Sequence, residues 1–411
     1  MRTDTTIEET QTKSAACPYH GSNQITGDHV ELLDKPIEKD SSGVWRVRSY
    51  EVAKTLLRGN GLKQAGFQAE VLGEMRLGKD PMLYLEGAEH LALRKQTARF
   101  FTPKAVKAYD GMIGRMVDQM LADLREAGRV DLSQLTMKLA TRVAAEVVGL
   151  TDSDIDGLSR RLGAFFDIRP AAKSDRKVTF DAIRHVSIAQ FFMARFYFRD
   201  VRPAIRNRRK ERQDDLISYL IDQEYTATQI LTECLLFGAA GMVTTREFIT
   251  AAALHFLRNE DMRADYLAAD HAKRHEMLHE ILRLEPVVGN LLRRTTQPIE
   301  VEVDGEKVEI GQGELIDMSV YGINQDAKAF GESAELVCPH RDLPKGVQVP
   351  GMSFGDGNHR CPGAFIAIEE SDIFLTRFLK MDGLRLEQEP IVGRNEIVDG
   401  YEFKNFIVSV S

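Results

Sequence analysis

The sequence predicts a mainly α-helical protein with a single domain and a small β-sheet contributed by both ends of the chain. The 411 residues could form two or three average domains or one large domain around a single core. No internal repeat, low-complexity tract or Gly/Ser-rich linker divides them. Strand-like segments are sparse, and most of the other sequence has helical periodicity. We therefore expect a polar, flexible N-terminal tail over residues 1–25 and one domain over residues 26–411.

The predicted strands lie in two places. Val44–Val47 is one short segment. Residues 299–303 alternate apolar and charged side chains before Asp304-Gly305, and a return strand follows around Val308. A two-residue turn ending in glycine between two such segments is typical of a β-hairpin.

Helical periodicity is clearest behind Asp131, which we expect to cap a helix. The apolar face of that helix is formed by Leu132, Leu135, Leu139, Val143 and Val147. A longer mixed segment, residues 178–219, contains a cluster of aromatic side chains and the basic run Arg206–Arg212. On a helix with acidic neighbours, such a run is more often a solvated face than a nucleic-acid site.

Composition and charge exclude several classes of protein. The chain has 62 acidic and 54 basic residues, and its net charge of −8 argues against non-specific nucleic-acid binding. The longest apolar run, Cys234–Val243, is about half of what spanning a bilayer requires. Residues 1–21 are polar and contain no signal-peptide core. The four cysteines are scattered and suggest no disulfide framework. We expect a soluble, cytoplasmic protein without a membrane anchor.

The most informative motif is the glycine-rich loop Phe354–Gly363, which closes on Cys361. Glycines in such a loop let the backbone approach a flat ligand closely. The loop runs into a predicted helix, Ala364–Glu369, whose N-terminal amides would stabilise a thiolate. A lone cysteine is otherwise more often a buried, inert thiol. Zinc needs three or four ligands, and no partner cysteine with metal-site spacing accompanies Cys361, so a haem with one protein ligand fits better.

This loop resembles the haem-binding signature of cytochromes P450. The resemblance implies the triangular-prism fold of that family, a bound haem b (iron protoporphyrin IX) and Cys361 as the axial thiolate ligand of its iron. It also implies haem contacts from other residues of the loop, namely Phe354, Gly355, His359 and Gly363. Anchored members of the family usually take electrons from a membrane-bound reductase, whereas soluble members resemble bacterial ones that are reduced by ferredoxins or flavodoxins.

Two further motifs occur in the order that the resemblance requires. Glu280 and Arg283 lie three residues apart on one helix face. Alone they could be an ordinary surface ion pair, but their position matches the family's buried structural pair. His90 and Arg94 lie one helical turn apart and can reach the same anion, which the resemblance identifies as the haem propionates. Arg293 and His359 match further propionate contacts, although Arg294 competes with Arg293 for that role.

A third motif, Leu235–Thr245, matches the family's oxygen-activating helix. There Ala240 and Gly241 would leave room for dioxygen, and Thr244 would offer it a hydroxyl group. Alternatively, Thr244 only bonds back to its own helical turn. The family usually has an acidic residue immediately before this threonine, where this chain has Val243. We hypothesise that Glu247 supplies the missing proton route; the alternative is that Glu247 pairs with a basic neighbour.

The resemblance implies a monooxygenase that takes electrons from a separate ferredoxin or flavodoxin and its reductase. Two alternatives remain: a peroxide-driven enzyme of the same type, and a non-catalytic haem-binding or sensing protein on the same scaffold. The residues expected in the substrate pocket by position are mostly apolar, which indicates a largely hydrophobic small molecule. They are Phe67, Met82, Leu83, Phe237, Val243, Val287, Val288, Asn290 and Phe406.

Overall fold

The structure, a computed structural model, describes residues 19, 24–27, 35–67, 81–166, 190–395 and 398–411. It confirms a mainly helical fold. The helices are α1 Tyr50–Arg58, α2 Gly87–Thr97, α3 Pro103–Ala127, α4 Leu132–Val148, α5 Ile155–Phe166, α6 Arg202–Lys210, α7 Leu216–Asp222, α8 Ala227–Arg258, α9 Glu260–Ala268, α10 His271–Leu284, α11 Val320–Asn324, α12 Ala327–Phe330 and α13 Ala364–Phe378. The strands are β1 Ile37–Lys39, β2 Trp45–Val47, β3 Leu62–Gln64, β4 Arg129–Asp131, β5 Asn290–Thr295, β6 Ile299–Val303, β7 Glu306–Ile310, β8 Leu315–Ser319, β9 Arg385–Gln388, β10 Ile391–Asn395, β11 Gly400–Lys404 and β12 Ile407–Ser409.

The largest sheet joins distant parts of the chain. Its strand order is β1-β2-β8-β5-β3. The β2–β8 pair is parallel, with Trp45 opposite Ile316, and the other pairs are antiparallel. This sheet contains the predicted strand around Trp45, but the other strands in it are β1, β8, β5 and β3, because the predicted hairpin β6–β7 forms a separate two-stranded sheet.

The predicted hairpin is also confirmed. Strands β6 and β7 are antiparallel, with Val301 opposite Val308. Asp304 and Gly305 both have positive φ, 50° and 85°, which is the backbone conformation that a type I′ turn requires. Glycine adopts this conformation without steric cost, and aspartate is one of the few other residues that tolerate it.

The core is centred on α8, which packs against α4, α10, α13 and β11. Helix α4 begins as the sequence predicts, because the Asp131 carboxylate accepts a hydrogen bond from the Ser133 amide. The apolar face predicted for α4 is buried throughout. Within the described residues, α8 alone has the length and apolar composition of a membrane span, and its packing is that of a core helix.

The Glu280–Arg283 pair is fully buried rather than on the surface. Arg283 donates to both carboxylate oxygens of Glu280 at 2.8 Å and to the carbonyl oxygens of Asn324 and Ala334 at 2.7 Å. Glu280 also accepts from the Cys338 amide at 2.9 Å. A buried pair whose remaining donors and acceptors are satisfied in this way is costly to break, because either charge alone would be stranded. The pair therefore fixes α10 against the segment that follows α11.

Parts of the predicted tail contact the folded body. Residues 1–18 and 20–23 lie outside the described residues, but Tyr19 is buried and its hydroxyl group donates to Asp265 at 3.0 Å. The amides of Ile25 and Thr26 donate to Glu285 at 2.6 and 3.1 Å. These contacts place residues 19 and 25 against α9 and the end of α10.

Two sequence-based expectations need correction. Cys338 is disulfide-bonded, whereas the scattered positions of the four cysteines suggest no disulfide framework. The basic run is not uniformly solvated either: Arg206, Arg209 and Lys210 are exposed, but Arg208 is buried in an ion pair with Asp215. Arg208 is buried because α6 packs on α7, and Asp215 caps the latter helix.

Candidate active site

The Cys361 loop is held in place from both sides. The Cys361 amide donates to the Phe354 carbonyl oxygen at 2.8 Å, which closes the loop. Gly357 has a φ of 65°, and a Cβ atom there would lie 2.0 Å from the Leu57 carbonyl oxygen, so only glycine fits against the end of α1. The preceding residue, Asp356, accepts from Arg58 at 2.8 Å. The loop is therefore fastened to α1 before α13 begins.

The Cys361 side chain is accessible from an internal cavity, although protein surrounds it on the other sides. Burial raises the pKa of its thiol, and the Gly363 amide and the guanidinium groups of Arg94 and Arg360 act in the opposite direction. A Cβ atom on Gly363 would lie 3.9 Å from the sulfur. The sulfur thus faces open space and is backed by an amide and two cations.

The cavity has a volume of about 880 Å³ and extends from the Cys361 sulfur to α8. The residues expected to bind haem from the loop and from α8 all line it: Ala240, Gly241, Phe354, Gly355, His359, Cys361 and Gly363. Thr244 also faces the cavity, and its hydroxyl group donates to the Ala240 carbonyl oxygen at 2.6 Å. The structure therefore shows the alternative, in which Thr244 bonds back to its own helical turn. The Thr244 side chain nevertheless remains open to the cavity.

Four basic side chains lie along one side of the cavity: His90, Arg94, Arg293 and His359. Arg293 is buried, and desolvation lowers its pKa to about 10. It donates to the Gln64 side chain and to the Leu292 carbonyl oxygen. The neighbouring Arg294 donates instead to the Gly313 carbonyl oxygen and does not line the cavity. The alternating directions of strand β5 thus place Arg293, rather than Arg294, at the cavity.

His90 and His359 form a stacked pair beside these arginines. Their ring centroids are 4.1 Å apart, and the His359 Nε2 atom lies 3.0 Å from a Glu86 carboxylate oxygen. Burial, followed by the charge of His359, lowers the pKa of His90 to about 4. The Nδ1 atom of His90 is buried without a hydrogen-bond partner among the described residues. Such an orphaned polar atom indicates a missing ligand group.

These features fit a haem. An iron-bound macrocycle needs one soft ligand and a flat, open space, which Cys361 and the adjoining glycines provide. Its two carboxylates need hydrogen-bond donors: Arg94 and Arg293 provide cations at the cavity, and the orphaned Nδ1 atom of His90 provides a neutral donor. The donor set and the cavity therefore suit this group without rearrangement of the loop.

The structure places six of the nine residues predicted for the substrate pocket at the cavity. Phe67, Met82, Leu83, Phe237, Val287 and Val288 line the cavity. Val243 does not, because it is turned into a core cluster between α8 and its neighbours. Asn290 donates to Asp317 at 3.1 Å, and Phe406 is buried in the core, where its carbonyl oxygen accepts from Leu132. For these three residues the placement in the pocket is wrong.

Glu247 also lies away from the cavity. One carboxylate oxygen accepts from the Phe403 amide at 3.0 Å, and the other lies 3.2 Å from the Arg246 guanidinium group. Burial raises the pKa of Glu247 to about 7. The hypothesis of a proton route through Glu247 and Thr244 is not supported by this geometry, which favours the alternative that Glu247 pairs with a basic neighbour.

Sequence reasoning missed a buried acid in the cavity wall. Glu370 of α13 lines the cavity, is 3% exposed, and has one carboxylate oxygen without a hydrogen-bond partner among the described residues. Burial raises its pKa to about 8. Its signal in the sequence is a glutamate in the otherwise apolar helix that follows the Cys361 loop. In the sequence alone, the adjacent Glu369 and Glu370 resemble the polar face of a helix.

Comparisons with known proteins agree with this site. A profile of the family described as Cytochrome P450 matches residues 275–390, which include the Glu280–Arg283 pair and the Cys361 loop. "Cytochrome P450 109" of Bacillus spizizenii is 27% identical over 82% of this chain and 78% of its own length. "Erythromycin C-12 hydroxylase" of Saccharopolyspora erythraea is 26% identical over 87% of this chain and 88% of its own.

A solved structure shows the same fold. CYP109E1 from Bacillus megaterium, in complex with corticosterone, aligns with a TM-score of 0.69 and 21% identity, and the alignment covers 91% of this chain and 95% of the other. The family profile, the two curated relatives and the shared fold agree with the thiolate loop, the buried pair and the cation-edged cavity. The chain therefore belongs to the cytochrome P450 family and is a haem-thiolate monooxygenase of the bacterial type.

Proposed function

We propose that this enzyme oxidises a largely apolar small organic molecule with dioxygen and two electrons from a separate ferredoxin or flavodoxin and its reductase. The observation that carries the substrate class is the lining of the cavity. Its described acidic and basic side chains, apart from Glu370 of α13, are the four basic groups beside the Cys361 loop. The wall beyond them is mostly aliphatic and aromatic, so its described residues offer a substrate no charged anchor.

The protein's own residues have separable roles in this reaction. When bound, the haem would supply oxygen activation and the transfer of one oxygen atom to a carbon–hydrogen bond. Cys361 would hold the iron, and His90, Arg94, Arg293 and His359 would hold the carboxylate edge. Thr244 would present its hydroxyl group to the reacting oxygen from α8. The apolar residues around Phe237 would position the substrate and exclude water.

The electron donor is inferred from the surface around the loop. Lys95, Arg99, Lys104, Lys107 and Arg360 are all exposed there. Two of them are partly neutralised, Lys107 by Asp110 at 2.5 Å and Arg99 by Asp214 at 3.3 Å. A small acidic redox protein would be attracted to the remaining positive charge. A cytoplasmic location is part of the same proposal, and the disulfide at Cys338 is the observation against it.

A second candidate is a peroxide-driven oxidation by the same site. All residues of helix α8 are described, and the twelve of them that line the cavity include no carboxylate. Val243 stands where the family usually has an acid, and Glu247 is turned away from the cavity. Hydrogen peroxide brings the protons and electrons that this wall and a ferredoxin would otherwise have to deliver. The haem-binding or sensing alternative has no such observation in its favour.

One experiment separates these proposals. Apolar compounds that shift the optical spectrum of the ferric haem are first selected, together with carboxylate and amine analogues of the same size. Product is then measured with ferredoxin, reductase and reduced nicotinamide, and separately with peroxide. We expect apolar compounds to bind best and product to require the ferredoxin system. Tighter binding of the charged analogues would contradict the substrate class, and product with peroxide alone would favour the second candidate.

The docking surface has its own test. Lys104→Glu should slow reduction by the ferredoxin, and the rate in the unchanged protein should fall as salt rises. Lys307→Glu, which changes an exposed lysine on the β6–β7 hairpin, is the matched control and should leave reduction unchanged. Equal rates in both variants at low salt would place the docking surface elsewhere.

A further inference from the structure

Helices α10 and α13 bring two histidines and two carboxylates together outside the cavity. His271 and His275 are one turn apart at the start of α10, so both side chains lie on one face. Glu369 and Asp372 are three residues apart on α13, so both lie on the side of α13 that faces these histidines. The nitrogen atoms of the two histidines and a carboxylate oxygen of Asp372 all lie within 4.8 Å of one another.

The distances between these atoms are close to those of a metal site. The His271 Nε2 atom lies 3.1 Å, and the His275 Nε2 atom 3.6 Å, from the same carboxylate oxygen of Glu369. With metal–ligand bonds of about 2.0–2.1 Å, tetrahedral geometry separates ligand atoms by about 3.3 Å. The His275 Nε2 atom also lies 4.0 Å from Asp372. Both distances to the Glu369 oxygen are thus within about 0.3 Å of the tetrahedral separation.

Hydrogen bonding leaves one of these atoms unexplained. The Nε2 atom of His275 is buried and has no hydrogen-bond partner among the described residues. Its distance to Glu369 is too long for a hydrogen bond. Buried polar atoms of this kind normally have a partner, so a plain histidine–carboxylate contact does not account for the arrangement.

Asp372 is held by other groups. It accepts from Arg274 through both oxygens, at 2.7 and 2.9 Å, and from the Tyr266 hydroxyl group at 2.6 Å. Asp372 therefore neutralises the charge of Arg274. The Glu369 carboxylate can then neutralise a cation bound by the histidines. Asp372 or a water molecule can complete the coordination as the fourth ligand.

We propose that His271, His275 and Glu369 bind a divalent transition-metal ion of the zinc class. Two imidazoles and one carboxylate suit zinc, nickel or copper, whereas magnesium and calcium prefer oxygen ligands alone. The ion would join α10, which carries Glu280 and Arg283, to α13, which begins directly behind Cys361. It is separate from the haem and would act on stability rather than on the oxidation itself.

Calorimetric titration of the haem-loaded, untagged protein with zinc chloride, after treatment with chelator, tests this site. We expect one zinc per chain, and at least tenfold weaker binding in His275→Ala and Glu369→Gln, since loss of even an outer partner costs about 10–100-fold. His340→Ala is the matched control, because His340 is an exposed histidine whose ring lies 3.7 Å from Glu276, a carboxylate of α10. It should bind zinc as the unchanged protein does.

A second readout does not depend on heat of binding. Zinc should raise the unfolding temperature of the unchanged protein and of His340→Ala but not that of Glu369→Gln, and magnesium chloride should raise none of them. If His275→Ala does not fold, His271→Ala replaces it, because the His271 side chain is 51% exposed. Equal affinity in the unchanged protein and both ligand variants, no saturable binding, or an equal loss in His340→Ala would overturn the proposal.

Discussion

The imidazole rings of His90 and His359 stack with their centroids 4.1 Å apart and their planes 17° from parallel. This contact joins α2 to the Cys361 loop, and Glu86 holds the outer nitrogen of His359 at 3.0 Å. The two rings are thus fixed by each other before any anion reaches them. The Nδ1 atom of His90 is buried and has no hydrogen-bond partner in the described part of the chain, so a bound anion can satisfy it.

Replacement of His90 by phenylalanine should therefore weaken haem retention without loosening the stack. A hydrogen bond to a charged group contributes about 1.5–3 kcal/mol, which corresponds to roughly 10–100-fold faster haem loss. The rate of haem transfer to an excess of a haem-scavenging protein measures this effect. His340→Phe, at an exposed position, is the control. An unchanged rate in His90→Phe would show that His90 does not contact the haem.

The neighbouring arginines of β5 offer a sharper comparison. Arg293→Gln should release haem faster, because it removes a buried cation at the cavity edge, whereas Arg294→Gln should retain haem normally. We expect about tenfold or more between the two, in line with a charged hydrogen bond. The reverse order in the same haem-transfer assay would assign the contact to Arg294.

Loss of the Cys361 thiolate should change the spectrum of the reduced carbon-monoxide complex. In the unchanged protein we expect the red-shifted absorption of a thiolate-bound haem. Cys361→His should lose it, since an imidazole replaces the sulfur. Cys234→Ala, which removes a free, buried thiol of α8, is the control and should keep the band. A red-shifted band in Cys361→His would exclude this cysteine as the ligand.

Thr244 and Glu247 should differ in their effect on turnover. Thr244→Ala removes the hydroxyl group that faces the cavity, and we expect product formed per reducing equivalent to fall about tenfold or more. Glu247→Gln should leave this ratio close to that of the unchanged protein, because the side chain is turned toward Phe403 and Arg246. A loss of coupling in Glu247→Gln comparable to that in Thr244→Ala would restore the proton route through Glu247.

Glu370 should make stability depend on pH. Its folded-state pKa of about 8 lies above the ordinary value of 4.5, so its contribution is fully present below pH 4.5 and is lost as pH rises through about 8. Glu370→Gln should match the unchanged protein at pH 5 and exceed it at pH 8.5 by about 4 kcal/mol, since about 1.4 kcal/mol is lost per pH unit between pH 5 and 8. Urea unfolding of the haem-loaded protein at both values measures this.

The control for that measurement is Glu126→Gln, which changes an exposed glutamate of α3. Its difference from the unchanged protein should be the same at both pH values. A Glu370→Gln variant that is equally or less stable at pH 8.5 would mean that the carboxylate is ionised in the folded protein and has a partner.

Short-range pattern accounts for most of what the sequence predicted correctly. The alternation around Val301, the cap at Asp131 and the residue spacing of the Cys361 loop each depend on neighbours within a few positions. The fold class, and the loop residues that line the cavity, could therefore be predicted. Val243, Asn290 and Phe406 were misplaced because chain position indicates proximity to the pocket but not the direction of a side chain.

Other features depend on contacts between distant segments. The rotation of α8 that turns Glu247 toward the Phe403 amide is set by β11, and a difference of one residue moves a helical side chain by about 100°. The burial of Glu370 and the meeting of His275 with Glu369 depend on how α13 packs on α8 and α10. Periodicity within one helix contains no information about these partners.

The close approach of Gly357 to the Leu57 carbonyl oxygen has a consequence for the order of assembly. Residues 45–64 leave the ribosome long before the Cys361 loop does, yet the loop takes its shape against the end of α1. An early-made part of the chain must therefore be folded, or held near its final position, when the last quarter of the chain emerges. We expect haem capture to be a late step, so that a chain that begins after residue 64 would keep Cys361 but fail to accumulate as a coloured protein.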